Sequence, residues 1–331
     1  MSFYIGIDIG GTKCAVTLGE ERAEGLSIIE KKRFPTSGSP EEILGRFVEE
    51  ADGILRKRGM SYRDIRSIGI SCGGPLDAAR GVVLSPPNLP DWDAIPVTAF
   101  FSSRTGIPAF LENDANACAV AEWKYGAGKG KRNMIFLTFG TGLGAGLILD
   151  GRLYGGSNGN AGEIGHVRMR EGGPIGYGKS GSAEGFCSGA GLAQQGKLAA
   201  RRDPKAAARL LEYAGGEEGI SAKNIAELAA MGDRFCIDVY HTCGEMLGEV
   251  LAILIDLFNP QAIVLGGVYM RSHELLEGGM KKTLSKEALP MAAEVCEILP
   301  AGLGEEIGDY AALALAAYRA EAEVIPDPNA L

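Results

Sequence analysis

Two short stretches place residues suited to phosphate chemistry at the tips of glycine turns. The first carries Asp8, Gly10, Gly11, Thr12 and Lys13. Glycines let backbone N–H groups approach anionic oxygens, the hydroxyl donates a hydrogen bond and the lysine adds charge. Asp8 could hold a Mg²⁺ through water, because that ion keeps several waters and takes few carboxylates. The second stretch offers Thr138, Gly140, Thr141, Gly142 and Gly144. Either loop alone reads equally well as an ordinary turn; two together could grip a polyphosphate from both sides. Neither has the Gly-x-x-x-x-Gly-Lys-Ser/Thr form. Gly140-Thr141-Gly142-Leu143-Gly144 runs on into a strand pattern, not a helix, which argues against a dinucleotide dehydrogenase.

Carboxylates and one histidine supply the rest of the chemistry. Asp114, in Leu111-Glu112-Asn113-Asp114-Ala115-Asn116, precedes a helix pattern that ends near Gly126. It reads as a helix cap or as a general base that takes a proton from an attacking hydroxyl. Gly159-Asn160-Ala161-Gly162-Glu163-Ile164-Gly165-His166, followed by Gly181-Ser182-Ala183-Glu184, sets polar residues among glycines with no helical or strand period. His166 is one of three histidines. With Glu163 and Glu184 it could form a hydroxyl-binding cluster, whose directional hydrogen bonds around a polyol would discriminate epimers.

These residues need a scaffold, and the pattern supplies one. Residues 4–18 read as strand, two-glycine turn, strand, with a tip that demands positive φ or very close backbone approach. Residues 134–149 have the same form, so the chain reads as an internal duplication of two α/β halves. Ser39-Pro40-Glu41-Glu42 is a capping box that opens a helix, with Ile43, Phe47, Ala51, Ile54 and Leu55 on one face up to Gly59. Asp203-Pro204 is expected to open a helix ending at Gly215-Gly216. A long helix is expected from about Asp233 to Phe258, stopped by Asn259-Pro260. Strands are expected at 67–71, 262–265 and 295–299. A last helix from Glu305 to about Tyr318 should return to the first half, before a frayed tail, Pro326-Asp327-Pro328-Asn329.

Composition narrows the function classes. Of 331 residues, 46% are hydrophobic and 23% charged, an ordinary globular balance. A net charge of −9 argues against a nucleic-acid surface. The most apolar run, residues 250–258, contains Asp256 and is too short to cross a membrane. Seven cysteines, an odd number without a Cys-x-x-Cys pair, suggest free thiols. No basic flank or cleavage signal surrounds Met1-Ser2-Phe3-Tyr4-Ile5, so a cytoplasmic protein is expected.

The stretches 8–13, Gly73-Gly74-Pro75-Leu76-Asp77, Ser85-Pro86-Pro87-Asn88-Leu89-Pro90, Glu112-Asn113-Asp114, 140–146, 162–166 and Leu265-Gly266-Gly267 cover nearly the whole chain. In this order they resemble the repressor–ORF–kinase (ROK) family of sugar kinases, within the hexokinase and actin-like ATPase superfamily. The resemblance implies an α/β, two-lobed actin-like ATPase (ribonuclease H-like) fold, each lobe a mixed sheet flanked by helices, with an active-site cleft between them. The small lobe would be 1–116 plus about 305–322, the large lobe 117–304. ATP with Mg²⁺ and a small-molecule sugar are the implied ligands. Asp114 would activate the sugar's 6-hydroxyl, while Asn88, Asn113, Glu163, His166 and Glu184, with the Gly74 backbone, would bind other hydroxyls. Asp8, Gly10, Gly11, Thr12, Lys13, Thr138, Gly140, Thr141 and Gly142 would surround the phosphates and Mg²⁺, with Gly266 and Gly267 near the adenosine. Glucose is expected by frequency within the family; N-acetylmannosamine, N-acetylglucosamine, fructose and allose remain open, as does a catalytically silent sugar-binding regulator. A homodimer follows by family analogy.

Two departures stand out. Members commonly carry a zinc loop, Cys-x-Cys-Gly-x-x-Gly-Cys-x-Glu, with an upstream histidine. Aligned on Glu184, this chain has Ile175, Tyr177 and Ser182 in place of the cysteines, and Cys187 falls outside the pattern. Zinc is therefore expected to be absent, with Ile175 and Tyr177 packing to hold the loop. Val268 stands where a third glycine is common. Repressor members carry an N-terminal helix-turn-helix; this chain starts directly in the Asp8 hairpin and carries net negative charge, which points away from a repressor.

Overall fold

Continuous buried runs build the first hairpin: Ser2–Ile9 pairs antiparallel with Lys13–Arg22, and residues 4–7 and 14–19 are buried without a break. The computed structural model describes residues 1–324; the tail Pro326-Asp327-Pro328-Asn329 lies outside them. The hairpin extends into a five-stranded sheet in the order Gly25–Pro35, Lys13–Arg22, Ser2–Ile9, Ile65–Cys72, Ala109–Asn113. The last two strands run parallel to Ser2–Ile9, so the sheet is mixed. A second sheet repeats the plan in the order Arg152–Leu153, Leu143–Leu149, Met134–Phe139, Ala262–Leu265, Glu297–Pro300. Its hairpin Met134–Phe139 and Leu143–Leu149 is antiparallel, and Ala262–Leu265 and Glu297–Pro300 continue in parallel. The same strand order on a glycine-tipped hairpin is what an internal duplication predicts.

Two compact units result. One comprises Met1–Gly130, Leu153–Ala161 and the segment from Gly302; the other comprises Lys131–Arg152 and Gly162–Ala301. A division at 116/117 would cut the helix Asp114–Tyr125, which lies whole in the first unit.

In the first unit the helix Pro40–Lys57 starts on the Ser39 capping box and buries Ile43, Leu44, Phe47, Ala51, Ile54 and Leu55. The alanine-rich helix Ile307–Val324 lies on the sheet, where the Ser67 hydroxyl donates to the Ala316 carbonyl at 2.9 Å. In the second unit the helix Arg234–Phe258 begins on an Asp233 cap and ends at Asn259 in the left-handed region (φ 44°). Asn tolerates that conformation better than most residues, and Pro260 then prevents continuation. Asp203-Pro204 behaves differently from expectation. Asp203 closes the helix Gly189–Arg202 and its side chain holds the turn through Ala206 N–H (3.0 Å); the next helix is only Ala208–Ala214. The strand expected at 295–299 begins at Glu297, because the short helix Pro290–Ala293 occupies the approach.

Candidate functional site

In the first unit the chemistry gathers at the C-terminal ends of the parallel strands, where open α/β sheets commonly present ligand groups. Register aligns Asp8 with Ser71, and Cys72 with both Ile9 and Asn113. The hairpin tip needs close approach, not positive φ: a Cβ on Gly11 would lie 2.6 Å from the Asn88 carbonyl oxygen and 2.8 Å from Asn88 Cβ. That seats the loop bearing exposed Asn88 against the first hairpin, with buried Leu89 and Trp92 anchoring it. Thr12 and Lys13 are exposed at the tip. The Thr36 hydroxyl donates to the Gly10 carbonyl (2.6 Å) and Thr36 N–H to the Thr12 carbonyl (3.0 Å), which fixes the turn. Gly74 adjoins Asn113, whose Nδ2 lies 3.6 Å from where a glycine-replacing Cβ would sit.

Asn113 is the cap of the helix Asp114–Tyr125: its side chain accepts from Ala115 N–H at 2.9 Å. Asp114 is the first helical residue, and its Oδ1 also accepts from Ala115 N–H (2.8 Å), which orients the carboxylate. The preceding residue, Glu112, is buried yet satisfied. It accepts from Asn113 N–H (3.1 Å), Asn116 Nδ2 (3.0 Å) and the Arg319 guanidinium (3.1 Å). Glu112 and Arg319 thus brace the turn that presents Asp114. They also face a recess of about 780 Å³ along the edge strand, which none of the expected site residues lines.

Charge in this cluster is unbalanced. Burial and the Asp114 carboxylate push Asp8 from 3.8 up to about 7, with Asp309 adding to the shift and Lys31 and Arg33 opposing it. Burial also raises Asp114, whose residue surface nevertheless remains open to solvent. The carboxyl is hemmed by protein and reachable by water from one side, a recess in which proton affinity rises without isolation from a ligand. Two carboxylates with a local excess of negative charge suit a hydrated divalent cation. The donor set fits Mg²⁺, and Asp8 is the residue that would hold it.

In the second unit Thr138 spans its own hairpin, accepting from Gly144 N–H at 2.9 Å. Gly140 and the exposed Thr141 form the tip; their carbonyls accept from Gly189 N–H (2.8 Å) and Ala190 N–H (3.4 Å) at the start of the helix Gly189–Arg202. Gly266 and Gly267 lie beside this hairpin: Gly266 N–H donates to the Leu137 carbonyl (3.0 Å), and a Cβ on Gly267 (φ 63°) would come within 2.0 Å of the Phe139 carbonyl oxygen. Glu163 precedes a single 3₁₀ turn, Ile164–His166, that His166 ends and whose Ile164 is buried. Ala183 N–H donates to the Val167 carbonyl at 2.8 Å, bringing that turn to the helix Ala183–Phe186 that carries Glu184. Glu184 Oε2 accepts from Leu143 N–H (3.1 Å) on the hairpin, and a Cβ on Gly142 would sit 2.5 Å from the same oxygen. The second glycine loop and Glu184 therefore form one bonded group.

The loop that lacks the zinc cysteines is held differently from expectation. Ile175 and Tyr177 are 54% and 69% exposed, so they do not pack to secure it. Gln194 instead imitates a peptide partner, accepting from Ile175 N–H (2.9 Å) and donating to the Ile175 carbonyl (2.8 Å). Ser182 caps Gly185 N–H (3.2 Å), and the Tyr177 ring stands edge-on to His166, centroids 6.3 Å apart. Ile175, Tyr177 and Ser182 offer no thiolate or imidazole, and the donor set does not fit zinc. Among the described residues, no group of three or more His, Cys, Asp or Glu side chains could hold a metal ion. All seven cysteines are free thiols. Among the described residues, no helix is long and apolar enough to cross a membrane.

Sequence reasoning overlooked Thr36, Arg319, Gln194 and the Leu143 amide. Each acts through a backbone atom or a partner far along the chain, a relationship that residue type does not announce.

Two mixed five-stranded sheets with flanking helices, each built on a glycine-tipped hairpin, define an actin-like ATPase fold. The chain belongs to the ROK family, which its residues 4–319 match. It is 34% identical over 319 residues to a glucokinase of Streptomyces coelicolor, covering 96% of this chain and 98% of that protein. A ROK family glucokinase from Streptomyces griseus, solved in complex with glucose and AMPPNP, superposes with a TM-score of 0.77 at 34% identity, over 96% of this chain and 100% of that one. A xylose repressor of Bacillus spizizenii is 28% identical over 304 residues, covering 92% of this chain and 74% of that protein.

Proposed function

We propose that this protein is an ATP-dependent kinase that phosphorylates the 6-hydroxyl of a hexose, with glucose as the substrate. The observation that carries the reading is Asp114: Asn113 already caps the helix, so Asp114 is not needed for that purpose, and it stands oriented, solvent-reachable and raised in proton affinity. In the reaction Asp114 accepts the proton of the 6-hydroxyl as that oxygen forms a bond to the γ-phosphorus of ATP, and the bond to the β,γ-bridging oxygen breaks to release ADP. Gly10, Gly11, Thr12 and Lys13 would contact phosphate, as would Gly140, Thr141 and Gly142; Thr138 shapes its own loop, and Gly266 and Gly267 would approach the adenosine. Asn88, Asn113, Glu163, His166, Glu184 and the Gly74 backbone select the sugar through directional hydrogen bonds. Mg²⁺, held by Asp8 through water, would neutralise phosphate charge. Glucokinase relatives in the same family support glucose over the amino sugars, fructose and allose.

The test is ADP release with Mg·ATP against a panel of free hexoses, amino sugars and N-acetyl sugars, each with a no-sugar control. Release that depends on sugar, greatest with glucose, is expected. Greater turnover of another sugar would reassign the substrate, and silence with retained sugar binding would favour a non-catalytic regulator. Light scattering on the same sample tests the homodimer.

A further inference from the structure

The segment between Glu163 and Glu184 carries a small hairpin whose tip meets His166. Its strands, Ile175–Gly176 and Lys179–Ser180, pair antiparallel and are joined by Tyr177-Gly178. Both joining residues have positive φ, 44° and 74°, as a two-residue type I′ turn requires. Gly178 suits that conformation. Tyr177 does not, because a bulky side chain in the left-handed region is strained, and asparagine is the usual first residue of such a turn. Burial does not offset the strain, since Tyr177 is 69% exposed. Strain held at an exposed aromatic residue points to a role for its ring.

The tip touches His166 through a ring and an ammonium. The Tyr177 ring stands against the imidazole, with centroids 6.3 Å apart and ring planes at 78°. The Lys179 ammonium donates to the His166 main-chain carbonyl at 2.8 Å and forms no ion pair among the described residues. His166 has little else to hold it. It is exposed, its backbone N–H donates to the Glu163 carbonyl at 3.1 Å, and among the described residues no hydrogen bond reaches either imidazole nitrogen. The hairpin, by contrast, is well rooted. Gln194 holds both polar atoms of the Ile175 backbone (2.9 and 2.8 Å), Ser180 Oγ donates to the Gly173 carbonyl (3.0 Å), and Gly181 N–H donates to the Pro174 carbonyl (2.9 Å). A fixed hairpin therefore meets a histidine whose ring no hydrogen bond restrains.

We propose that Tyr177 and Lys179 are positioning residues for His166. Lys179 fixes the main chain at the end of the Ile164–His166 turn, and the Tyr177 ring sets the imidazole plane, leaving the nitrogens to meet sugar hydroxyls. The proposal rests on the reading of His166 as a sugar ligand and says what orients it. An oriented imidazole binds a hydroxyl without first losing rotamer freedom, so the brace acts on sugar affinity and not on the phosphoryl step.

The test compares glucose kinetics, thermal melting and proton–nitrogen NMR of the imidazoles, with the His166 signals assigned by their loss in His166→Gln. Tyr177→Asn is decisive, because asparagine relieves the turn while removing the ring. Its melting temperature should hold or rise, whereas the KM for glucose should increase about threefold to tenfold with kcat within about twofold, the range of one hydrogen bond and the signature of lost substrate binding. Its His166 signals should shift. Tyr177→Phe keeps the ring and should match the unaltered protein in KM and in those signals. Lys179→Met should raise KM similarly, and Lys179→Arg should restore it. A purely structural turn would gain from Tyr177→Asn without any rise in KM. Unchanged KM and unchanged His166 signals in Tyr177→Asn overturn the brace, as does a KM rise that Tyr177→Phe shares, which would give the phenol a contact of its own. If the unaltered protein turns over no sugar, the kinase reading fails instead, and the brace is judged by the His166 signals, which need no substrate.

Discussion

Replacing Asp8 by asparagine should stabilise the ligand-free protein at neutral pH and leave it nearly unchanged near pH 4. The carboxyl rises from 3.8 to about 7 on folding, so the folded state holds its proton more tightly than the unfolded state. A group raised in this way lends stability fully below its unfolded value, and that contribution is lost as pH climbs toward its folded value. The window is therefore about pH 4 to 7. At about 1.4 kcal/mol per pH unit the loss has an upper bound of about 4 kcal/mol. Partial access of water reduces it, and about 2 kcal/mol is the working expectation. Asparagine keeps the shape and removes the charge, so the variant should show a flatter stability profile and melt several degrees higher at pH 8. Differential scanning calorimetry between pH 4 and pH 8, without metal or nucleotide, measures both. If Asp8 holds Mg²⁺ as proposed, excess Mg²⁺ should narrow the gap by stabilising the unaltered folded state. Equal melting of the two proteins at pH 8, or a difference as large at pH 4, would refute the account of a strained carboxylate cluster.

Asp114→Asn should preserve the fold and sugar binding while turnover falls by about 10² to 10⁴, the usual weight of a general base; a near-normal kcat would remove it from that role. In the unaltered enzyme the acid limb of kcat should lie above the ordinary aspartate range, because burial raises Asp114. Gly142→Ala should displace Glu184 Oε2, which a Cβ would approach to 2.5 Å, raising the KM for sugar more than it lowers thermal stability; an unchanged KM would uncouple that loop from Glu184. Glu122 is fully buried and accepts from Ala127 N–H (2.8 Å), Gly302 N–H (2.9 Å) and Leu303 N–H (2.9 Å). Glu122→Ala strands three donors and should cost about 3–5 kcal/mol in urea unfolding, whereas a loss below about 1 kcal/mol would show that water replaces them.

Local signals carried much of the fold. Ser39 with Glu42, Asp233 as a cap, and Asn259-Pro260 as a stop all act through atoms within four residues, so their helices were legible from the chain alone. The paired hairpins were legible because each joins two strands adjacent in sequence, although Thr36 and the Gly189 and Ala190 amides hold their turns from far along the chain. Asp203-Pro204 misled because one residue can close the helix behind it as readily as open one ahead. The zinc loop misled because hydrophobic type suggested burial, while Gln194 could satisfy the Ile175 peptide and leave that side chain in solvent.

The sequence by itself determined which residues are able to do the chemistry: a carboxylate before a glycine turn, an Asn-Asp pair at a helix start, and acids and a histidine in a glycine-rich loop. Tertiary structure decided what each is doing. Only the alignment of strand ends sets Asp8 within reach of Asp114's charge, only the fold brings Arg319 to Glu112 across 207 positions, and only packing leaves Gln195 Oε1 buried without a donor. Proton affinity, bracing and an unmet hydrogen bond depend on atoms close in space, and the order of residues along a chain does not specify that distance until the sheets and helices have closed around it.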